Sequence, residues 1–313
     1  EATPQQLKAL PPPLLAWYDE NRRVLPWREQ VSPYRTWVSE IMLQQTRVTA
    51  VLPYFDRFMA ALPTVAALAD APEQQLMSLW QGLGYYSRAR NLQKAAQVIM
   101  TRHGGVFPDT YEGLTALPGV GDYTAGAIAS IAFGQPVPAV DGNVLRLAAR
   151  LTGCDDNVLE PKTRARFRRW MAEVIPSDRP GAFNQALMDL GAMVCLPNGA
   201  PLCEQCPART FCTACEKGLQ RQLPVREKKT ARRVEQRTVF LLRRGGAGGG
   251  RRGGPKAAPK PAHANDVMPK MVELEFHAMA IATMVMSTSV MREHHMTCFS
   301  VASFLNSRDT GSG

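Results

Sequence analysis

Two acidic side chains of this sequence sit among neighbours that would change their chemistry. Glu40 lies in Trp37-Val38-Ser39-Glu40-Ile41-Met42-Leu43-Gln44-Gln45, where on a helix it shares a face with Trp37, Leu43 and Gln44. A carboxyl pressed against Trp and Leu loses hydration, so its pKa rises and it can keep a proton near neutrality, as a general acid must. The plainer alternative is a surface Glu on an amphipathic helix. Asp141 follows Pro138-Ala139-Val140 and precedes Gly142-Asn143-Val144-Leu145, which places it at the N-cap of a helix. A carboxylate fixed there is expected to stay ionised and to complement a protonated Glu, although capping alone would also explain it.

The cysteines form the second chemical signal. There are seven, four of them in the pattern Cys195-x7-Cys203-x2-Cys206-x5-Cys212, with Cys215 three residues further on. Four thiols within 18 residues, in a chain without a recognisable secretory signal, read as metal ligands rather than disulfides. Cys195, Cys203, Cys206 and Cys212 would suit a cubane iron-sulfur cluster. Cys203, Cys206, Cys212 and Cys215 would instead form two Cys-x-x-Cys knuckles around zinc, although only five residues separate them. Spacing favours the cluster and leaves zinc open. Cys154 and Cys298 read as a buried small residue and a tail thiol.

Two further segments could meet nucleic acid. In Leu117-Pro118-Gly119-Val120-Gly121, two glycines around one apolar residue allow a tight turn whose amides face outward at the start of the next helix, a site for phosphate. A simple helical corner is the other reading. In Leu83-Gly84-Tyr85-Tyr86-Ser87-Arg88-Ala89-Arg90, a ring could stack on a base with arginine near phosphate, or the rings could simply be core.

The elements that must position these groups are helical. Residues 1–220 read as short helices with apolar positions at helical period, separated by stops at Leu62-Pro63, Ala71-Pro72, Gly104-Gly105, Pro136, Pro161 and Pro180-Gly181. The expected fold class is therefore all-α. Later in the chain, residues 234–242 are the convincing strand candidate, and 279–290 could form a helix. The composition breaks at Gly245, and seven of the next ten residues are glycine, counting Gly245 itself. Residues 245–313 read either as a flexible low-complexity tail or as the product of a slipped reading frame.

The 313 residues allow roughly two domains and a sizeable core. The net charge is +10, but residues 221–256 carry all of it, with 12 basic and two acidic side chains. Any nucleic-acid face in residues 1–220 must therefore come from placement of charge rather than its bulk, and residues 221–244 read as a basic linker with the start of a strand. No apolar run approaches the roughly 20 residues of a membrane span. The first residues, Glu1-Ala2-Thr3-Pro4, have no initiator Met and no secretory pattern, so the start is read as incomplete and the protein as cytoplasmic.

The order of these segments resembles the adenine DNA glycosylases of the helix-hairpin-helix glycosylase superfamily, over residues 8–220. The likeness rests on Leu25-Pro26-Trp27-Arg28, Trp37-x-Ser39-Glu40-x-Met42-Leu43-Gln44-Gln45-Thr46 and Gly82-Leu83-Gly84-Tyr85-Tyr86. It continues through Leu117-Pro118-Gly119-Val120-Gly121, Val140-Asp141-Gly142-Asn143, and Leu190-Gly191-Ala192 leading into the cysteines. The resemblance implies two helical lobes, a six-helix barrel with the helix-hairpin-helix motif and an iron-sulfur lobe with its loop at 195–212. The substrate cleft would lie between them.

It also implies the roles. Glu40 would protonate the adenine ring, and Asp141 would stabilise the sugar cation or bond to it. Leu25, Trp27, Arg28, Tyr123, Asn143 and Gln185 would line the base pocket. Gln44 and Tyr85 would fill or wedge the duplex, while Gly119, Val120 and Gly121 hold phosphate. Cys195, Cys203, Cys206 and Cys212 would hold a [4Fe-4S] cluster. The implied partner is duplex DNA carrying adenine opposite 8-oxoguanine or guanine, bound by a monomer that leaves an abasic site.

Three departures stand out. The family loop more often has six residues between its first two cysteines, not seven, and carries basic residues absent here. The Nudix-like C-terminal domain usual in the family is represented only by its possible first strand at 237–244, so it is largely missing. Finally, endonuclease-III-like enzymes carry a strand-cutting lysine where this chain has Tyr123, which cannot form a Schiff base. A pyrimidine glycosylase with lyase activity is therefore the runner-up among enzymes, and a DNA-binding protein without catalysis the alternative outside them.

Overall fold

The computed structural model describes residues 2–227 and two strands at 236–239 and 284–287. The chain divides into two compact units, Glu1–Lys228 and Lys229–Gly313. The described part of the first unit is helical throughout, as its apolar periodicity requires. Its helices are α1 (Gln5–Lys8), α2 (Pro11–Asn21), α3 (Pro26–Glu29), α4 (Pro33–Leu43), α5 (Val48–Ala61), α6 (Val65–Asp70) and α7 (Glu73–Trp80). There follow α8 (Ser87–Arg102), α9 (Tyr111–Thr115), α10 (Asp122–Phe133), α11 (Gly142–Thr152), α12 (Pro161–Val174), α13 (Pro180–Met193) and α14 (Thr213–Lys217). Two short 3-10 turns at Cys203–Gln205 and Arg209–Phe211 carry the cysteine loop.

Local chemistry sets the boundaries. Ser32 caps α4 by accepting from the Arg35 amide at 3.2 Å, with Pro33 in the first turn. Pro161 and Pro180 open α12 and α13, while Gly134 and Gly153 end α10 and α11 in the left-handed region.

Two apolar cores organise this unit. One, centred on Trp37, Phe55, Phe58 and Trp80, is enclosed by α4, α5, α6, α7, α8 and α10. Trp37 meets Phe107 edge-on at 5.4 Å, and Trp27 meets Phe55 at 5.1 Å. The other joins α1 and α2 to α11, α12 and α13 through Leu10, Leu14, Leu147, Phe167, Phe183 and Leu190. Helix α13 touches α10 of the first core and α11 of the second, so it lies along the seam. Close approach there needs glycine, because a Cβ at Gly181 would stand 2.8 Å from the Ser130 carbonyl oxygen.

The hairpin between α9 and α10 is pinned from inside. Val120 is buried in the first core, and Gly119 has φ +76°. A Cβ at Gly119 would also approach Asn91 Cβ to 2.8 Å. The compact unit continues through the start of the basic segment, since Val158 N–H donates to the Val225 carbonyl at 3.0 Å.

In the second unit Gln236–Val239 pairs antiparallel with Met284–Ser287, with Gln236 opposite Ser287. The first strand falls within the stretch expected to be one. The second corrects the expectation of a helix over 279–290: an apolar helix with nothing to pack against gives way to a strand whose main chain finds a partner. The rest of the expected 245–313 tail, including Cys298, lies outside the described residues.

Gly119→Ala should lower the unfolding free energy by about 1–3 kcal/mol, through its positive φ and the crowding against Asn91. Gly121→Ala, whose Cβ would meet open space, should be close to neutral. Urea denaturation followed by circular dichroism checks both.

Candidate active site and DNA interface

Between the two cores lies a cavity of about 460 Å³. It gathers side chains far apart in sequence: Leu25, Trp27 and Arg28 from α3 and its entry, Glu40 from α4, Tyr123 from α10, Asp141 and Asn143 from the start of α11, and Gln185 from α13. All eight residues expected to carry catalysis or bind the base therefore face one space.

Glu40 is buried, and its Oε2 accepts a 2.7 Å hydrogen bond from the Tyr123 hydroxyl. Burial pushes its pKa up to about 7, against the lowering effects of that bond and of Arg28; Asp141 adds a further push upward. The neighbours that desolvate it are only partly the ones read from the sequence. Trp37 points into the first core, and Thr36, Ser39 and Leu43 share the cavity with Glu40.

Asp141 caps α11. Its Oδ1 accepts from the amides of Asn143 and Val144, both at 2.8 Å, and its Oδ2 from the Asn143 side-chain amide at 2.7 Å. Burial nevertheless shifts its pKa upward, with these donors opposing the shift. The helix start alone thus does not set its ionisation, as the sequence reading assumed. The two carboxyls differ in their hydrogen bonds: Asp141 accepts three from N–H donors, whereas Glu40 accepts one from a phenol.

Asp189, Arg23 and Tyr18 escaped the sequence reading. Asp189 is fully buried and takes Arg28 bidentately, at 2.6 and 3.0 Å, while also pairing with Arg23. Tyr18 donates to Gln185 Oε1 at 2.6 Å, beneath the Arg28 guanidinium. The available signal was the spacing of Gln185 and Asp189, one turn apart on a helix whose other polar side chain is Asn184.

Gln44 and Tyr85 lie outside the cavity, on two loops held together by one side chain. Arg88 Nη1 donates to the carbonyls of Ile41, Met42 and Gln44 at 2.6–3.0 Å, and its Nη2 to those of Leu83 and Gly84 at 3.0 and 3.3 Å. Arg88 is therefore committed to main chain instead of phosphate, and Arg90 pairs with Glu73. Both loops carry strain: Gln45 and Tyr85 have positive φ, 58° and 46°, and the Tyr85 ring is 48% exposed. At the hairpin the Val120 amide bonds Leu117 within the turn at 3.1 Å, so Val120 contributes its buried side chain rather than an outward amide.

Cys195, Cys203, Cys206, Cys212 and also Cys215 line a second, smaller cavity walled by Leu147, Leu151, Val194 and Pro201. Among the described residues no three His, Cys, Asp or Glu side chains converge as ligands of one metal ion. Thiols without histidine are a donor set that an iron-sulfur cluster or a four-cysteine zinc site would accept. Burial, with the thiols of Cys195, Cys212 and Cys203 around it, pushes Cys206 up to about 12. Arg150 Nη1 lies 3.2 Å from Cys195 Sγ, a buried cation beside the thiol. Arg146 bridges the two sites, donating to Asn143 Oδ1 at 2.9 Å and to the Cys195 carbonyl at 2.9 Å.

Comparison with known proteins agrees with the helical fold. Residues 38–173 match the HhH-GPD family, described as "HhH-GPD superfamily base excision DNA repair protein", and the helical unit belongs to that superfamily. Similar proteins include the adenine DNA glycosylase of Homo sapiens, 45% identical over 219 residues, covering 67% of this chain and 40% of the relative. The adenine DNA glycosylase of Buchnera aphidicola subsp. Baizongia pistaciae is 39% identical over 200 residues, covering 64% of this chain and 56% of the relative. The chain thus spans about 40% of the length of the human relative. Among solved structures, a thermostable thymine-DNA glycosylase aligns with TM-score 0.61 and 27% identity, over 69% of this chain and all of that one. A non-covalent endonuclease III-DNA complex aligns with TM-score 0.56 and 25% identity, over 66% of this chain and 95% of that one. Among the described residues no helix is long and apolar enough to cross a membrane.

A raised Glu40 makes the site a pH-dependent liability. Its folded pKa of about 7 exceeds the ordinary 4.5, so its contribution to stability is fully present below pH 4.5 and is lost as pH rises through 7. Glu40→Gln should therefore stabilise the fold at pH 8, by at most about 3 kcal/mol, and add little at pH 4.5. Denaturation at the two pH values reads the difference.

Proposed function

We propose that this chain excises adenine mispaired with 8-oxoguanine or guanine in duplex DNA, hydrolysing the N-glycosidic bond to leave an abasic site. The observation that carries this reading is the convergence of Glu40 and Asp141 on one purine-sized cavity between the two cores. A stacked adenine is out of reach, so the base must first leave the helix, at a cost of a few kcal/mol. Gln44 and Tyr85, on the two loops tied by Arg88, would fill the gap, and the Gly119–Gly121 hairpin would hold backbone phosphate through its glycine amides.

Bond rupture leaves negative charge on the base and positive charge on C1′. Glu40, holding its proton near neutrality, supplies the first need, and the Asp141 carboxylate beside it the second. Tyr123 donates to Glu40 where a lyase would present an amine, which favours a glycosylase without strand cutting. Cys195, Cys203, Cys206 and Cys212 would hold a [4Fe-4S] cluster, with zinc as the alternative. Bound there, the cluster would brace the 195–212 loop, and Arg146 would tie that loop to the Asp141 cap.

A duplex with adenine opposite 8-oxoguanine, incubated with protein, should break only after hot alkali. Direct breakage would indicate a lyase, and intact DNA a binding protein without chemistry. Glu40→Gln should slow base release by about 10²–10⁴-fold while duplex binding survives; release at the parent rate would remove Glu40 from the role of acid. The purified chain should contain iron and acid-labile sulfide in equal amounts and absorb at about 400 nm. Stoichiometric zinc without iron would overturn the cluster.

A further inference from the structure

The thiol chamber holds one cysteine more than a metal site needs. Cys195, Cys203, Cys206, Cys212 and Cys215 all line it. A cubane cluster takes four thiolates, one for each iron, and a four-cysteine zinc site takes the same number. One corner of the chamber is therefore served twice, and the surroundings of the five sulfurs identify it.

Three of the sulfurs receive N–H donors that the fold holds in place. Arg150 Nη1 reaches Cys195 at 3.2 Å, Cys206 receives the main-chain N–H of Ala208, and Cys212 receives those of Ala214 and Cys215 at the start of α14. Such donors favour the thiolate, the form that binds metal, and orient it. Cys203 is bonded instead to two side chains, the Cys215 thiol and the Gln220 amide. Burial, the Cys215 thiol and the hydrogen bond between them all favour the protonated form of Cys203, against the Gln220 amide. The pair also differ in how the chain delivers them. Cys203 follows the exposed stretch 197–200 and the exposed Leu202, whereas Cys215 stands on α14, which packs against α11 next to the buried Ala214. The two thiols thus share one corner, one brought there by a loop and the other by a helix.

We propose that Cys203 and Cys215 serve the same corner of the [4Fe-4S] cluster, Cys215 being a reserve ligand that keeps the iron bound when Cys203 is lost. This rests on the cluster reading above. In the exchange one thiolate replaces another at the iron, and the proton of the incoming thiol passes to the outgoing sulfur along the hydrogen bond between them. Nothing is oxidised or reduced. Cys215, which spacing alone offered only to a zinc knuckle, thereby becomes part of the cluster's own donor set.

The test measures iron, acid-labile sulfide and zinc in the parent chain, Cys203→Ala, Cys215→Ala, Cys206→Ala and the double variant Cys203→Ala/Cys215→Ala, with the absorbance at about 400 nm alongside. Alanine is chosen because serine would leave an oxygen ligand. Cys203→Ala and Cys215→Ala should each match the parent in iron and sulfide, while Cys206→Ala and the double variant should lose most of both. A Cys203→Ala chain as poor in iron as Cys206→Ala, whether by loss of the cluster or by failure to fold, would overturn the proposal. A double variant that keeps the parental iron would do the same. Release of iron to a chelator should be several-fold faster from Cys215→Ala than from the parent, since no second thiol recaptures it; equal rates would overturn the proposal even where the double variant does not fold. A parent that holds zinc and no iron removes the cluster reading and this inference with it, whereas an iron-rich parent beside an iron-poor Cys203→Ala removes the inference alone.

Discussion

Placing the Glu40 carboxyl in the seam between two apolar cores forces the choices around it. An ionised group there would lack water, so the carboxyl keeps its proton to about pH 7, and the lone phenol donor from Tyr123 opposes that shift without abolishing it. The raised pKa therefore follows from burial, and burial follows from packing α4 against α10 on one side and closing the cavity with α13 on the other. Arg28 would cancel the effect if its charge were free. Asp189 binds it on both oxygens while also pairing with Arg23, so the Arg28 charge is offset only in part and still lowers the Glu40 pKa without overcoming its burial.

Helix α11 turns these local arrangements into one device. Its N-cap is Asp141, its first turn carries Asn143, and its buried face carries Arg146 and Arg150. The arginines reach the carbonyl and the sulfur of Cys195, so the thiol chamber and the cavity share one helix. Gly191 lets α13 close on this helix, since a Cβ there would stand 2.7 Å from Asn143 Cβ. The cysteine loop thus bears on the geometry of the Asp141 cap through Arg146.

The two loops proposed to meet a duplex follow a different principle. Gln44 and Tyr85 belong to loops with left-handed residues, held by the fan of carbonyls that Arg88 gathers. An arginine next to tyrosines looks from sequence like a phosphate ligand. Here it substitutes for the regular main-chain hydrogen bonding that two strained turns cannot make for themselves.

Much of this was legible in the residues themselves. Helical periodicity with Pro and Gly stops determined an all-α unit. Asp141 before Gly142-Asn143 determined a cap, and clustered thiols without histidine pointed to a metal site. These are local properties, in which side-chain type and spacing act over a turn or two. The fold alone decided which face of α4 meets the cavity, and so whether Trp37 or Thr36 stands beside Glu40. It also decided that Asp189 binds Arg28 across 161 positions of sequence, and that Arg88 serves carbonyls. Those outcomes depend on burial and on partners brought from distant helices, and a carboxyl's ionisation or an arginine's role is set by that company, which only the packed chain supplies.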